Sequence, residues 1–208
     1  IWFIAYARNK VKRKSALVHM IENITNPALV ENERELETEL LDILIERNEI
    51  VEDRFDQIIR QSPVIDYKKT ITREQLFKDL SKLICKKWSL TEKQIQEKLQ
   101  KREEQSSTLL YPGVALPHAI PHVIIEGSNC FDIILVRNKF GIVWNEKNEI
   151  VYTAFCLLGS KDERNFHLKA LAAIAQILMN PDFHKEWHKA RTENDLRTAV
   201  LLTKRKRD

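Results

Sequence analysis

Two Pro-His pairs stand four positions apart in YPGVALPHAIPHV, residues 111 to 123, at His118 and His122. Imidazole titrates near neutrality, so either ring can act as a base, a nucleophile or a metal ligand, or simply belong to a proline-stiffened turn. Four more histidines, His19, His167, His184 and His188, complete the set. His184 and His188 are spaced i, i+4, which puts them on one helix face. HKEWH, however, has lysine where the zinc-protease pattern needs glutamate. These two read as surface residues of a helix, and His19 carries no special signal. No third ligand accompanies the Pro-His pairs, so neither a metal nor a cofactor is expected.

His118 and His167 carry more information. His118 follows an apolar approach and a proline, which predicts a strand end or turn, the kind of edge where ligands of open α/β sheets meet the protein. His167 stands near the start of a predicted helix, just beyond a predicted strand, on the apolar face. A lone histidine in such a place is more often a packed core residue than a functional one.

The elements that must position these residues are legible from periodicity. Residues 31 to 61 have no interior Gly or Pro and carry Leu36, Leu40, Ile43 or Leu44, Val51, Phe55 and Ile58 as one apolar stripe. This predicts a long charged helix suited to packing or dimerisation, with Arg47-Asn48 as a place for a break. VIDY (64–67) predicts a short strand, and residues 73 to 87 and 92 to 104 predict helices, the second opened by a Thr91–Gln94 capping box. CFDIILVRN (130–138) and IVYTAFCLL (150–158) predict strands, with NKFG and NEKN as turns. Ser160 and Glu163 have capping-box spacing and predict a helix running to about Asn180. After Pro181, two short helices (about 182–190 and 193–201) and a basic tail follow. Strands interleaved with helices predict an α/β architecture with a mostly buried sheet.

With 208 residues the chain can bury one good core or two small ones, and only 4 Gly and 6 Pro argue against long flexible linkers. Cys85, Cys130 and Cys156 are odd in number and far apart, which points to a reducing cytoplasm rather than a disulfide framework. The net charge of +4 is concentrated in Arg8 to Lys14 and Lys204 to Arg207, with no basic face interleaved with aromatics, so nucleic acid is not an expected partner. IWFIAYA at the start is too short to span a bilayer. Followed by a dense basic block, it matches the last turns of a transmembrane helix leaving on the cytoplasmic side, and the block itself suits a membrane surface.

KREEQSSTLLYPGVALPHA (101–119) resembles the active-site stretch of the fructose/mannitol-type, or type-2, EIIA domains of the bacterial phosphotransferase system. That pattern has Arg-Glu at a helix end, then Ser/Thr, then a Gly-x-Ala-x-Pro-His segment. Arg102, Glu103, Ser107, Thr108, Gly113, Ala115, Pro117 and His118 match it. NFHLKALAAIAQIL (165–178) is similar to the family's downstream helix, which carries a second histidine, here His167. The resemblance covers about residues 62 to 202. It implies a mixed β-sheet flanked by helices and a phosphoryl-accepting His118. Arg102 would clamp the phosphoryl oxygens, and His167 would donate a hydrogen bond or hold the tautomer of His118. Glu103, Ser107, Thr108 and His122 are candidate ligand-binding residues. The second Pro-His pair, at His122, departs from the family pattern, and the spacing from Gly113 and Ala115 favours His118.

YARNKVKRKSALVHMIENIT (6–25) is similar to the segment leaving the last transmembrane helix of amino-acid/polyamine/organocation permeases. Some of these carry a C-terminal EIIA-like domain behind a charged helix such as ERNEIVEDRFDQII (46–59). The implied organisation is a membrane exit and basic juxtamembrane helix over 1–30, a linker or dimerisation helix over 31–61, an EIIA-like domain over 62–203 and a basic tail over 204–208. The implied function is a regulatory or sensory domain at the cytoplasmic face of the cell membrane. It would modulate the transmembrane part of the same permease through ligand, partner or interdomain binding. The alternative is an active phosphoacceptor served by a phosphocarrier protein.

Overall fold

The computed structural model describes residues 33–85, 90–118 and 130–207. The membrane-exit segment, the basic juxtamembrane block, His19 and His122 lie outside the described residues. No helix among the described residues is long and apolar enough to cross a membrane. In chain order the elements are α1 (Glu33–Arg47), α2 (Arg54–Gln61), β1 (Val64–Tyr67), β2 (Ile71–Thr72), α3 (Arg73–Cys85), α4 (Glu92–Gln105), β3 (Leu109–Tyr111), β4 (Gly113–Ala115), β5 (Phe131–Val143), β6 (Ile150–Gly159), a 3₁₀ turn (Lys161–Glu163), α5 (Arg164–Leu178), α6 (Pro181–Lys189) and α7 (Glu193–Leu201). They fall into two compact units. One is a sheet unit, Gln61–Ile174, and the other is a helical unit made of residues up to Arg60 and from Ala175 onward.

In the sheet unit the strand order is β1-β5-β6-β4-β3, with β2 also on β5. β5 and β6 pair antiparallel, β1 and β2 run parallel to β5, β4 runs parallel to β6, and β3 closes the edge antiparallel to β4. The sheet is thus mixed and flanked by helices, as the resemblance implies. Residues Ile133 to Val136 are all buried, so β5 is covered on both faces, which is why its sequence is a continuous apolar run rather than an alternation. Leu76, Phe77, Leu80 and Ile84 of α3 and Ile95 and Leu99 of α4 pack with Ile134, Val136, Ala154 and Cys156 of the sheet. Each of the Leu, Ile, Val and Phe side chains among them contributes about 1.5–3 kcal/mol by leaving water.

Three expectations need correction. NKFG is not a turn: β5 runs on to Val143, and its ladder to β6 shifts register between Arg137 and Ile142. The extra residues form a bulge held by the buried Asn138 side chain, which donates to the carbonyls of Lys69 (3.0 Å) and Gly141 (3.1 Å) and accepts from the Phe140 amide at 2.9 Å. Gly141 sits there at φ +92°, and a Cβ would lie 2.5 Å from Ile150 Cγ2. NEKN makes the reversal instead, with Asn148 at φ 56° and its amide on the Asn145 carbonyl at 2.9 Å.

The Ser160–Glu163 capping box does not form. Ser160 makes no side-chain cap, and its hydroxyl exchanges 3.3 Å contacts with the backbone of Cys130. A 3₁₀ turn fills the gap, α5 starts at Arg164, and it ends at Leu178 rather than Asn180. The Thr91–Gln94 box of α4, in contrast, is present.

The stretch from 31 to 61 is two helices, not one. Glu49 adopts a left-handed conformation (φ 53°), and the Ile50 amide returns to the Ile45 carbonyl at 3.1 Å, which ends α1. Asp53 then opens α2. Its carboxylate accepts from the Asp56 amide at 3.0 Å, and the Asp56 carboxylate accepts from the Asp53 amide at 3.3 Å. The break re-phases the apolar stripe: Leu40, Ile45, Phe55 and Ile59 are buried, whereas Ile43 is 58% and Val51 83% exposed.

The basic tail also has a use that composition does not reveal. Arg205 grips the Asp53 carboxylate with two nitrogens (2.8 and 2.7 Å) and lies 4.7 Å over the Phe55 ring, while Arg207 Nε donates to Asp56 at 2.8 Å. The Arg205 and Asp56 side chains are only 2% and 1% exposed. Burial by itself would raise the Asp53 pKa, but the hydrogen bonds from Arg205 and the Asp56 amide outweigh it and hold it near 2. Asp53 thus stabilises the fold fully above its unfolded value of about 3.8, and that contribution, up to about 2 kcal/mol, is lost as pH falls towards 2. We predict that amide exchange in the helical unit accelerates between about pH 4 and 2. Arg205→Gln should shrink this acid step, since only the backbone amides would then hold the Asp53 pKa down. It should also cost about 3–5 kcal/mol at neutral pH by leaving Asp53 without its cation and buried Asp56 with Arg207 alone.

Candidate functional site

The site is assembled from the end of α4, the segment that follows β4 and the first turns of α5, all within the sheet unit. Arg102 and Glu103 occupy the last turn of α4. One helical residue apart, they point their side chains in different directions, and each has a separate task.

Glu103 is buried at 7% exposure and meets four donors. Ser107 Oγ donates to Oε1 at 3.1 Å, Thr108 Oγ1 to Oε2 at 2.5 Å, the Thr108 amide to both oxygens (3.2 and 3.0 Å), and Trp144 Nε1 to Oε1 at 2.9 Å. The carboxylate therefore ties the end of α4 to the start of β3 and to the indole beyond β5. Ser107, itself exposed, and the buried Thr108 engage Glu103 in this structure. The residue that sequence reasoning missed is Trp144. Its only signal is that a tryptophan beside a turn, if buried, needs an acceptor for its indole N–H.

His118 is placed by a short chain of backbone constraints. Gly113 enters β4 at φ +87° with Tyr152 packed above it, 3.3 Å from where a Cβ would stand. The Leu116 amide donates to the Thr108 carbonyl at 2.9 Å, and the Pro117 carbonyl accepts from Leu157 of β6 at 3.0 Å. His118 then forms an isolated parallel bridge with Leu157. This anchors the ring's stem to the sheet rather than to a free loop.

The ring's two nitrogens have different partners. Nδ1 lies 2.8 Å from the Leu116 carbonyl, which can only accept, so Nδ1 carries the proton. Nε2 accordingly presents a lone pair, and Arg102 Nε–H donates to it at 3.1 Å. Arg102 Nη1 donates to the Ser106 carbonyl at 2.9 Å, which braces the guanidinium across the helix end. Burial, followed by the neighbouring Arg102 charge, pushes the His118 pKa below its ordinary 6.5 against the opposing pull of the Leu116 carbonyl and Glu103.

His167 comes up from α5 with its ring centre 5.4 Å from that of His118 and 6.0 Å from that of Phe131. Phe131 in turn meets Phe166 edge-to-face at 4.9 Å. His167 is 7% exposed, and its pKa is depressed to about 4, by burial first and then by His118 and Arg102. The structure thus brings His118, His167 and Arg102 together and places Glu103, Ser107 and Thr108 directly behind them. His184 and His188 stand apart on α6 in the helical unit, where His184 Nε2 lies 2.8 Å from the Leu178 carbonyl and His188 is exposed. Among the described residues no group of His, Cys, Asp and Glu is arranged to hold a metal.

A neutral imidazole with a fixed tautomer, its free nitrogen facing a guanidinium, is equipped to accept an electrophilic anion. Ring-nitrogen chemical shifts should show His118 as the Nδ1–H tautomer, titrating below 6.5, and Arg102→Ala should move that midpoint upward by removing a neighbouring cation. A midpoint at or above the ordinary value would contradict this geometry. Glu103→Gln should lower stability by about 1–3 kcal/mol in a urea titration, because buried donors lose a charged acceptor.

Residues 57–201 match the family model described as phosphoenolpyruvate-dependent sugar phosphotransferase system, EIIA 2. The fructose-specific EIIABC component of the phosphotransferase system of Bacillus subtilis (strain 168) is 26% identical over 124 residues, covering 59% of this chain and 19% of that protein. The chain therefore spans about a fifth of that relative's length. Among solved structures, the nitrogen regulatory protein IIA-Ntr of Neisseria meningitidis is similar with a TM-score of 0.61 at 20% identity, covering 71% of this chain and 99% of that one. The complex of mannitol enzyme IIA with phosphorylated enzyme IIB of Escherichia coli is similar with a TM-score of 0.51 at 11% identity, covering 66% and 92%. At these identities the structures share the fold. The family match spans the stretch that holds Arg102, Glu103, His118 and His167, and the chain belongs to the EIIA type-2 family of the phosphoenolpyruvate-dependent sugar phosphotransferase system.

Proposed function

We propose that His118 is a phosphoryl acceptor, and that the domain reports its phosphorylation state to a membrane transporter of the amino-acid permease type to which it is joined. The observation that carries the first half is the division of labour on the His118 ring: Nδ1–H held by the Leu116 carbonyl, Nε2 left with a lone pair facing Arg102. In the transfer step, Nε2 attacks the phosphorus of a donor phosphohistidine on a phosphocarrier protein. A new N–P bond forms as the donor's N–P bond breaks, and that electron pair returns to the donor ring. The proton stays on Nδ1, donated to the Leu116 carbonyl, throughout. For attack to occur, the Arg102 N–H must leave the lone pair, and its guanidinium then lies beside the equatorial oxygens that it can clamp in bidentate fashion.

The second half is supported by the N-terminal sequence, an apolar heptapeptide with Trp2 and Tyr6 followed by a basic block, as at a cytoplasmic membrane exit. The transmembrane part of the same permease is then the principal partner, and the basic block lies against the membrane surface at its cytoplasmic face. Exposed Ile43 and Val51 support a self-association surface in the helical unit. An enzyme IIB-like protein is a candidate second partner, since the mannitol enzyme IIA of Escherichia coli is found in complex with one.

Incubation with phosphoenolpyruvate and the general phosphotransfer proteins should place one acid-labile phosphate on the chain. It should be absent in His118→Ala and retained in His122→Ala; retention in His118→Ala would reject the assignment. For the regulatory half, the full transporter is compared in liposomes with a form lacking residues 31 to 208. Equal rates and affinities, with and without phosphorylation, would exclude control by this domain.

A further inference from the structure

His167 carries a hydrogen-bonding group that the resting site does not use. Its Nδ1 is buried with no hydrogen-bond partner, in a ring 7% exposed, and buried nitrogens left in this way are rare enough to require a cause. The charged and titratable groups that act on the ring are His118, from the segment after β4, and Arg102, from α4. Glu103 of α4 acts on His118, and Phe131 of β5 brings no charge. On its own helix Arg164 lies three residues earlier, and the buried Glu163 immediately precedes the helix. The ring therefore faces a cation and a neutral imidazole in the resting site and stays unprotonated.

We propose that His167 is the proton acceptor of the site, taking up a proton when a phosphoryl group arrives on His118, so that phosphorylation is coupled to proton uptake and favoured by falling pH. This rests on the reading of His118 as the phosphoryl acceptor. A phosphoryl group brings a charge of roughly −1.5 to −2 and three strong acceptor oxygens. It arrives on a ring whose centre is 5.4 Å from that of His167. At such separations one opposite charge raises the pKa of a base by about one to three units. From a resting value of about 4, the phosphorylated site brings His167 towards the physiological range, and the imidazolium then has an acceptor for the Nδ1–H that the resting site lacks. The proton comes from solvent, and the exchange of N–P bonds is unchanged. Between the two His167 pKa values the phosphorylated form holds one more proton than the free form. Its formation constant should therefore rise by up to about tenfold for each unit of falling pH in that window.

The full chain, labelled with ¹⁵N in its histidine rings, is treated with phosphoramidate, which phosphorylates imidazole without a partner protein. Acid-labile phosphate that His118→Ala does not take up identifies the acceptor. If none appears, the assignment of His118 fails, and the coupling fails with it. The His167 ring shifts are titrated in the free protein from about pH 3 to 8.5, which brackets its depressed value, and with His118 phosphorylated from about pH 5.5 to 8.5. The expected result is a midpoint about two units or more above that of the free protein. The equilibrium of phosphoryl exchange with the phosphocarrier should depend on pH to match, with the His167 part of that slope lost in His167→Gln. A His167 midpoint unchanged by phosphorylation overturns the coupling alone and leaves His118 as the acceptor.

Discussion

A buried carboxylate is tolerable only when its oxygens meet enough donors, and Glu103 satisfies that condition by gathering groups from two separate parts of the chain. The Ser107 hydroxyl, the Thr108 amide and hydroxyl, and the Trp144 indole all converge on it. The end of α4 is thereby fixed to the edge of the sheet, and everything else in the site follows from that junction. Arg102, one residue earlier, is aimed at His118 because α4 cannot rotate about its axis without breaking those bonds. Thr108, held from one side by Glu103, accepts from the Leu116 amide on the other, and Leu116 in turn supplies the carbonyl that sets the His118 tautomer. A single satisfied anion thus links the position of the guanidinium to the protonation pattern of the imidazole.

The electrostatics of the two histidines reinforce that arrangement. Both rings are pushed towards the neutral form by burial, and Arg102 adds a positive neighbour that opposes a further cation. Neutrality is what a nucleophilic imidazole requires, and the surroundings enforce it without a dedicated base. The Glu103 carboxylate behind the site is occupied by its own donors, so the charge facing the rings is the Arg102 guanidinium, an arrangement suited to an anion.

In the helical unit, charge is used differently. Asp53 and Asp56 cap α2 and at the same time receive Arg205 and Arg207 from the far end of the chain. A tail that reads as a solvated basic patch is therefore partly consumed in closing its own unit. This is why counting lysines and arginines is a weak guide to partners: the charge available to another molecule is what remains after internal pairing.

Much of this protein was legible in the residues alone. Continuous apolar runs marked β5 and β6, and helical periodicity marked α3 to α7. These signals are local, set by side-chain periods of 2 and 3.6 and by turn chemistry, so a linear sequence contains them. What it does not contain is which of two plausible local solutions long-range contacts select. NKFG became a bulge because Asn138 finds the carbonyl of Lys69, 69 residues away, and Ser160 abandoned its cap for the backbone of Cys130. The break after Arg47, allowed by the sequence, was fixed in the fold by the left-handed Glu49, and it re-phased the apolar stripe of the linker. For the candidate site, the sequence named Arg102, Glu103, His118 and His167 only through the resemblance that its motifs carry, and the fold brings these residues together. Only the tertiary structure decided that Trp144 joins them and that the Leu116 carbonyl holds the Nδ1 proton. Only there, too, does His167 lie buried beside His118, because proton position and burial depend on groups that meet only when the sheet and its helices have closed around them.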